Sequence, residues 1–349
     1  MLTLNKRKYS KSELLALSQK NDQTTWQQSF YNFIKTWLDE NNYVEVKTSG
    51  STGTPKIIQL EKKRMIASAK ATGDFFDLKP NDKALLCLPC DYIAGKMMVV
   101  RAMVLGLNLY SVEPTGNPLE SVENEGFQFG AMIPLQVLNS LKNHRNRFEN
   151  IEKMIIGGGV VDSSLLNKLQ TVQNQCFATY GMTETITHVA VKTLNGEQKS
   201  NAYQALQNVE FSQDNRDCLI IDAPYLSENQ IITNDIIKLY SKSNFEWLGR
   251  FDNVINTGGI KVNPEQIEQK IEAFIQDDFF IASENDEKLG SKVILVIENE
   301  GKIDTDLLKQ QFKTVLSKFE MPKEIYVLPQ FKRTETGKIQ RKQTLKSPE

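Results

Sequence analysis

Residues 48–56, Thr48-Ser49-Gly50-Ser51-Thr52-Gly53-Thr54-Pro55-Lys56, crowd five hydroxyls, two glycines and one lysine into one stretch. Glycines let backbone N–H groups approach an anion closely, hydroxyls donate further hydrogen bonds, and a lysine adds a point charge. That combination suits a polyphosphate. The Walker A spacing G-x-x-x-x-G-K-[ST] is absent, so the loop is of another kind. A Ser/Gly-rich surface turn is the plain alternative; the closing Thr54-Pro55-Lys56 and a position between two expected strands favour a nucleotide loop. Arg101 is a second chemical signal, because it interrupts the apolar helical stretch from Ile93 to Ala102, where an unpaired guanidinium is costly to bury. Cys87 and Cys90 form one C-x-x-C, yet no second pair or nearby His completes a metal site, and buried free cysteines are common.

The elements that must carry these residues follow from periodicity. Trp26, Phe30, Phe33, Ile34, Trp37 and Leu38 recur at helical spacing and predict an amphipathic helix. Short apolar runs at Val44–Val46, Ala84–Leu88, Leu107–Val112, Met154–Ile156 and Cys176–Ala178 alternate with helical stretches at Leu60–Phe76 and Ser163–Val172. Strand and helix in alternation predict an α/β body with a largely parallel sheet. After Gly249-Arg250-Phe251-Asp252 the pattern predicts a smaller α+β unit: a helix opened by Pro264, strands at Phe279–Ala282 and Val293–Ile297, a helix at Leu307–Phe319 and a strand at Ile325–Leu328. The 349 residues suit two domains, expected at 1–251 and 252–349. A net charge of -1 gives no general electrostatic reason for a nucleic-acid or anionic-membrane partner. No apolar run approaches the roughly 20 residues of a membrane span, and the N-terminus lacks a signal-peptide pattern, so a cytoplasmic location with reduced cysteines is expected.

Further segments follow the loop in a fixed order: Tyr180-Gly181-Met182-Thr183-Glu184, then Ile232-Thr233-Asn234-Asp235, then Gly249 to Glu268, then Thr336-Gly337-Lys338. Together they resemble the motifs of the adenylate-forming superfamily, which includes acyl-CoA synthetases. The resemblance implies a large N-terminal α/β domain, shortened at its start, and a smaller mobile α+β domain with a hinge at Asp252. It implies that Thr48, Ser49, Ser51, Thr52, Gly53, Thr54 and Lys56 cradle the pyrophosphate end of ATP. It also implies that Gly157, Gly158 and Gly159 line the adenine and acyl pocket and that Tyr180, followed by Gly181, stacks on adenine. Thr183 would meet the α-phosphate, Glu184 would hold Mg2+, and Asp235 would accept from the ribose hydroxyls with Arg250 beside it. Asn234 stands where the family has glycine. Lys338 would be the catalytic lysine of adenylation, although Lys332, Arg333, Arg341 and Lys342 around it also allow an exposed lysine in a basic tail. Asp252 could instead be a plain cap, and Gly258 and Gly259 would form the surface of a coenzyme A tunnel.

Within the superfamily, the early position of the loop, Gly181 to Thr185 and Ile93 to Ala102 look most like the o-succinylbenzoate:CoA ligases of menaquinone biosynthesis. Such a substrate has two carboxylates; one is activated and the other needs a cation. Arg101 is the first candidate and Lys96 the second, with a structural ion pair to a Glu, or a place on the solvated face of the helix, as the alternatives for Arg101. Tyr92 replaces a family histidine, and His188 is either part of the acyl pocket or a satisfied structural histidine. A ligase for another aryl or medium-chain acid, or a non-catalytic nucleotide-binding protein, are the rival readings; homo-oligomerisation is left open.

Overall fold

The computed structural model describes residues 1–20, 22–47, 57–123, 125–334 and 339–346. By contact density they form two compact units. The first comprises Met1–Phe211, Ile221–Ile231 and Ser241–Asn244; the second comprises Ser212–Ile220, Ile232–Tyr240 and Phe245–Glu349. Residues 212–220, 232–240 and 245–251 therefore group with the later part of the chain, ahead of the boundary expected at 251/252.

The first unit is built on parallel strands. Leu2–Leu4 pairs with Asn108–Ser111, which pairs with Lys83–Leu86, and the sheet continues through Phe127–Met132, Ile151–Ile156 and Gln175–Gly181. Antiparallel strands border it, Arg7–Tyr9 on one side and His188–Thr193 with Tyr203–Ala205 on the other. The apolar runs become strands because both faces of a parallel sheet are covered. On one face Leu85, Met154, Ile156 and Cys176 pack with Val137, Phe148, Leu165 and Leu169 of three helices. The helix Ile93–Leu105 buries every residue from Met97 to Ala102, as a helix that is apolar all round must.

Two sequence expectations change. The stretch expected as helix from Leu60 begins as the strand Ile57–Glu61, paired antiparallel with Tyr43–Lys47, and the helix runs Lys62–Phe75. The helix expected at Leu307–Phe319 is Thr305–Phe312: Asp304 caps its start by accepting from the Leu307 N–H at 2.9 Å, and Thr314 turns its hydroxyl back to the Gln311 carbonyl at 2.6 Å.

The long strands Ile231–Ser241 and Asn244–Arg250, of which residues 232–240 and 245–250 belong to the second unit, are sheet neighbours. A separate sheet holds Ile255–Thr257, Ile260–Val262, Phe279–Asp286, Gly290–Glu298 and Glu324–Leu328. Its core packs Ile281, Val293 and Leu295 against Ile267 and Ile271 of the helix Pro264–Ile271 and Phe312 of Thr305–Phe312.

Candidate active site

In the first unit the carboxyl ends of two neighbouring parallel strands carry the expected nucleotide residues. Ile156 pairs with Ala178, so Gly157 and Tyr180 emerge from the same edge. Ligands of open α/β sheets bind at this edge. Gly157 has no room for a side chain, since a Cβ there would lie 2.5 Å from Thr179 Oγ1, and Gly158 adopts φ 80°. Gly159 follows in the same loop. Tyr180 is half-buried, its ring 5.7 Å from that of Tyr203. Gly181 is equally obligatory, because a Cβ would meet the Thr187 carbonyl at 2.3 Å. Thr183 and the exposed Glu184 then form one short 3-10 turn, Thr183–Thr185.

The strand that returns from this turn brings Thr187 and His188 onto the helix Ile93–Leu105. Arg101 is 2% exposed, and burial lowers its pKa to about 10. Its NH2 donates to Thr187 Oγ1 at 3.2 Å and to His188 Nδ1 at 3.5 Å, its NH1 approaches Met98 Sδ at 3.6 Å, and its Nε is buried with no acceptor among the described residues. Among the described residues no carboxylate lies within ion-pair distance of it. Lys96 is directed elsewhere: its Nζ donates to the Asp91 carbonyl at 2.9 Å and lies 5.9 Å from the Phe33 ring. Tyr92 is the N-cap residue of the same helix. His188 is buried and held well below the usual histidine range by burial and by Arg101. Cys87 and Cys90 are buried, their thiols pushed up to about 12 by burial, which fits the structural reading of the pair.

In the second unit, Asp235 is 6% exposed on the strand Ile231–Ser241. It accepts from the Trp247 indole at 3.1 Å and lies 3.6 Å from Arg250 NH1. Arg250 also donates to Asp252 at 2.9 Å, and Asp252 sits in the 3-10 turn Phe251–Asn253. The Asn234 amide, at the position where glycine was expected, donates to both Asp252 oxygens at 3.3 Å. Gly258 and Gly259, φ 59° and 82°, make the two-residue turn between Ile255–Thr257 and Ile260–Val262, a hairpin turn that needs positive φ at both positions. Thr48, Ser49, Ser51, Thr52, Gly53, Thr54, Lys56 and Lys338 lie outside the described residues.

Sequence reasoning did not single out Thr72, Thr187 or Trp247. Each is a polar partner chosen by tertiary contact, and no local spacing announces it.

A family profile described as AMP-binding enzyme matches residues 6–215. The chain therefore belongs to the family of AMP-binding enzymes. It is 36% identical to the acyl-CoA synthetase (AMP-forming)/AMP-acid ligase II-like protein of Dyadobacter fermentans, covering 97% of this chain and 98% of that one, with a TM-score of 0.65. The 2-succinylbenzoate--CoA ligase of Enterococcus faecalis is 26% identical over 323 residues, 84% of this chain and 67% of the relative. That of Listeria innocua is 25% identical over 334 residues, 88% of this chain and 70% of the relative. In fold the chain matches the o-succinylbenzoate CoA synthetase of Bacillus subtilis in complex with its acyl-adenylate intermediate, at a TM-score of 0.76 and 19% identity over 87% of this chain and 69% of that one.

Proposed function

We propose that the protein is an ATP-dependent acid:CoA ligase that forms an acyl-adenylate and passes the acyl group to coenzyme A, with o-succinylbenzoate as its acid. The observation that carries the choice of acid is Arg101, a buried guanidinium among neutral acceptors with one nitrogen unpaired. A buried charge without its counter-charge is expensive, and a second substrate carboxylate would complete the pair. The names carried by the Enterococcus and Listeria relatives support the same acid and so a place in menaquinone biosynthesis.

In this reading residues 48–56 hold the triphosphate, Tyr180 stacks on adenine beside Gly157 to Gly159 and Gly181, and Asp235 with Arg250 receives the ribose. Glu184 is exposed on its turn and offers a hard carboxylate oxygen, a donor that suits Mg2+. Bound there with the phosphates, Mg2+ would supply charge neutralisation at the α-phosphate. Thr183 and Lys338 bind the same phosphate, where negative charge builds up as the acid's carboxylate attacks and pyrophosphate leaves. A swing about Asp252 then removes Lys338 and presents Gly258 and Gly259 to the pantetheine arm.

The test is thioester formation from ATP, coenzyme A and a panel of o-succinylbenzoate, benzoate and medium-chain acids. Arg101→Leu is expected to lower kcat/KM for o-succinylbenzoate by about 2–4 kcal/mol, as loss of one partner of a desolvated pair does, and to change benzoylpropionate, which lacks the ring carboxylate, much less. A parent enzyme that ignores o-succinylbenzoate and turns over a benzoate or fatty acid would remove the choice of acid and leave the ligase. Absence of ATP-pyrophosphate exchange with every acid would remove the ligase as well.

A further inference from the structure

Arg101 is held by a chain of hydrogen bonds whose proton order is fixed at both ends. Thr72, inside the helix Lys62–Phe75, donates its hydroxyl to the Ser68 carbonyl one turn back at 3.1 Å, the usual bond of a helix-interior threonine. Its oxygen is then an acceptor for His188 Nε2, 3.4 Å away. At the other ring nitrogen stands the Arg101 guanidinium, 3.5 Å from Nδ1, and a guanidinium can only donate. His188 is therefore neutral with its proton on Nε2, and Nδ1 receives Arg101. Thr72, Arg101 and His188 are all buried, so water cannot substitute readily for any of these bonds.

A strained turn delivers His188 to this position. Ile186 has φ 66° and ψ -56°, and the Thr187 N–H donates to the Thr185 carbonyl at 2.6 Å, which closes a γ-turn of the rare, strained form. For a β-branched residue such a backbone is an outlier and persists only where its surroundings impose it. Here the Thr185 hydroxyl ties the turn down, donating to the Thr187 carbonyl at 2.7 Å and accepting from the Met182 N–H at 2.9 Å. Immediately after it, the register of the strand His188–Thr193 shifts between His188 and Ala190. The result places Thr187 Oγ1 and His188 Nδ1 side by side on one Arg101 nitrogen, leaving Nε of the same guanidinium unpaired.

We infer that His188, backed by Thr72 and delivered by the γ-turn at Ile186, is a positioning residue that orients Arg101 toward an anionic group of the acyl substrate and thereby sets selectivity for dicarboxylic over monocarboxylic acids. The inference rests on the proposal that Arg101 receives the second carboxylate. Neutral acceptors orient the guanidinium without cancelling its charge, whereas an aspartate or glutamate in place of His188 would satisfy it and remove the reason to bind an anion. Because Thr183 and Glu184 stand in the 3-10 turn that leads directly into Ile186, the residues expected at the phosphate and those expected at the distal carboxylate lie on one short segment.

The experiment compares His188→Leu, His188→Asn and Thr72→Val with the parent on o-succinylbenzoate and benzoylpropionate, with Arg101→Leu as reference. His188→Leu should raise KM for o-succinylbenzoate about tenfold or more with kcat changed less, and leave KM for benzoylpropionate and ATP near the parent's. Asn, whose carbonyl can stand near the Nδ1 position, should restore much of the selectivity, and Thr72→Val should lose a smaller part of it. Equal effects of His188→Leu on both acids, or none, would overturn the inference while Arg101→Leu still separates the acids. Failure of Arg101→Leu to separate them would instead remove the proposal beneath, and the selectivity role of His188 with it. Nitrogen-15 NMR reads the proton order independently of any acid: the chain has two histidines, so a His144→Gln variant assigns His188. A proton on Nε2 and none on Nδ1 at neutral pH is expected, and a proton on Nδ1 would overturn the orientation of Arg101 derived above.

Discussion

At the scale of single residues, the role proposed for Lys338 rests on the Thr336-Gly337-Lys338 motif alone. If it bridges the attacking carboxylate and the α-phosphate, Lys338→Ala removes a charge needed only in the first half-reaction. Adenylation, read as ATP-pyrophosphate exchange, should then fall by about 3–4 kcal/mol of barrier, the usual worth of one preorganised contact to a transition state. Thioester formation from preformed acyl-adenylate should stay near the parent rate; equal loss in both halves would show that the lysine does something else. Arg101 was legible because a cation breaking an apolar helix is conspicuous in one dimension. Its setting was not: Thr72 reads as an ordinary helix-interior threonine, and His188 lies 87 residues further along the chain. Asp235 was readable as a carboxylate, while the indole that holds it, Trp247, sits across a strand pair and leaves no local signal.

At the scale of elements, the parallel strands were legible because burial on both faces writes a continuous apolar run. The strands between His188 and Arg250 were missed: buried and less buried positions mix along Ile231–Ser241 and Asn244–Arg250, while the buried run His188–Val191 is only four residues long and opens on a histidine. The central strand Phe127–Met132 was missed as well, with Gln128 and Gly130 diluting its apolar character. The helix Pro264–Ile271 was read correctly from its proline, and it places Glu268 beneath the strand Phe279–Asp286, where the carboxylate accepts from the Ile281 N–H at 2.7 Å and from Arg341 at 2.8 Å. Burial raises the Glu268 carboxyl from the ordinary 4.5 to about 7, outweighing the opposing pull of Arg341 and Ile281. Below the ordinary value the group is protonated in both folded and unfolded chains. As pH rises toward 7 the unfolded chain loses the proton first, so the group's contribution turns unfavourable across that window. Relative to Glu268→Gln, which cannot titrate, the parent should lose up to about 3 kcal/mol of stability between pH 4.5 and 7.5. Denaturant unfolding of both proteins at several pH values measures this difference. Parallel pH dependences would mean that the carboxylate stays ionised, stabilised by Arg341 more than burial opposes it.

At the scale of the whole molecule, the division by contacts and the division by motion are separate questions. The second compact unit includes residues 212–220, 232–240 and 245–251, so Asp252 lies within that unit. The hinge proposed at Asp252 would carry only the residues beyond it and leave Asp235 and Arg250 with the nucleotide. Motif order is what suggests a hinge at Asp252, but contact density could not be read from the sequence because residues 212–220 and 232–240 join the second unit from a distance along the chain. A proline at the pivot distinguishes the two divisions. Asp252 stands in the 3-10 turn Phe251–Asn253, whose φ range of roughly -50° to -70° a proline satisfies, and the turn's bond runs from the Val254 N–H to the Phe251 carbonyl. Asp252→Pro is thus compatible with the observed turn but resists rotation away from it. Pyrophosphate exchange is expected to stay near normal and thioester formation to fall by a factor of about ten or more, because only the second half-reaction needs the swing. Asp252→Asn is the control, since it keeps an oxygen acceptor for Arg250 and Asn234 and leaves φ free. Loss of thioester formation in the asparagine variant too would assign the effect to the ionic contact with Arg250, and survival of both half-reactions in the proline variant would move the pivot off Asp252 toward the boundary near residue 245 that the contacts define.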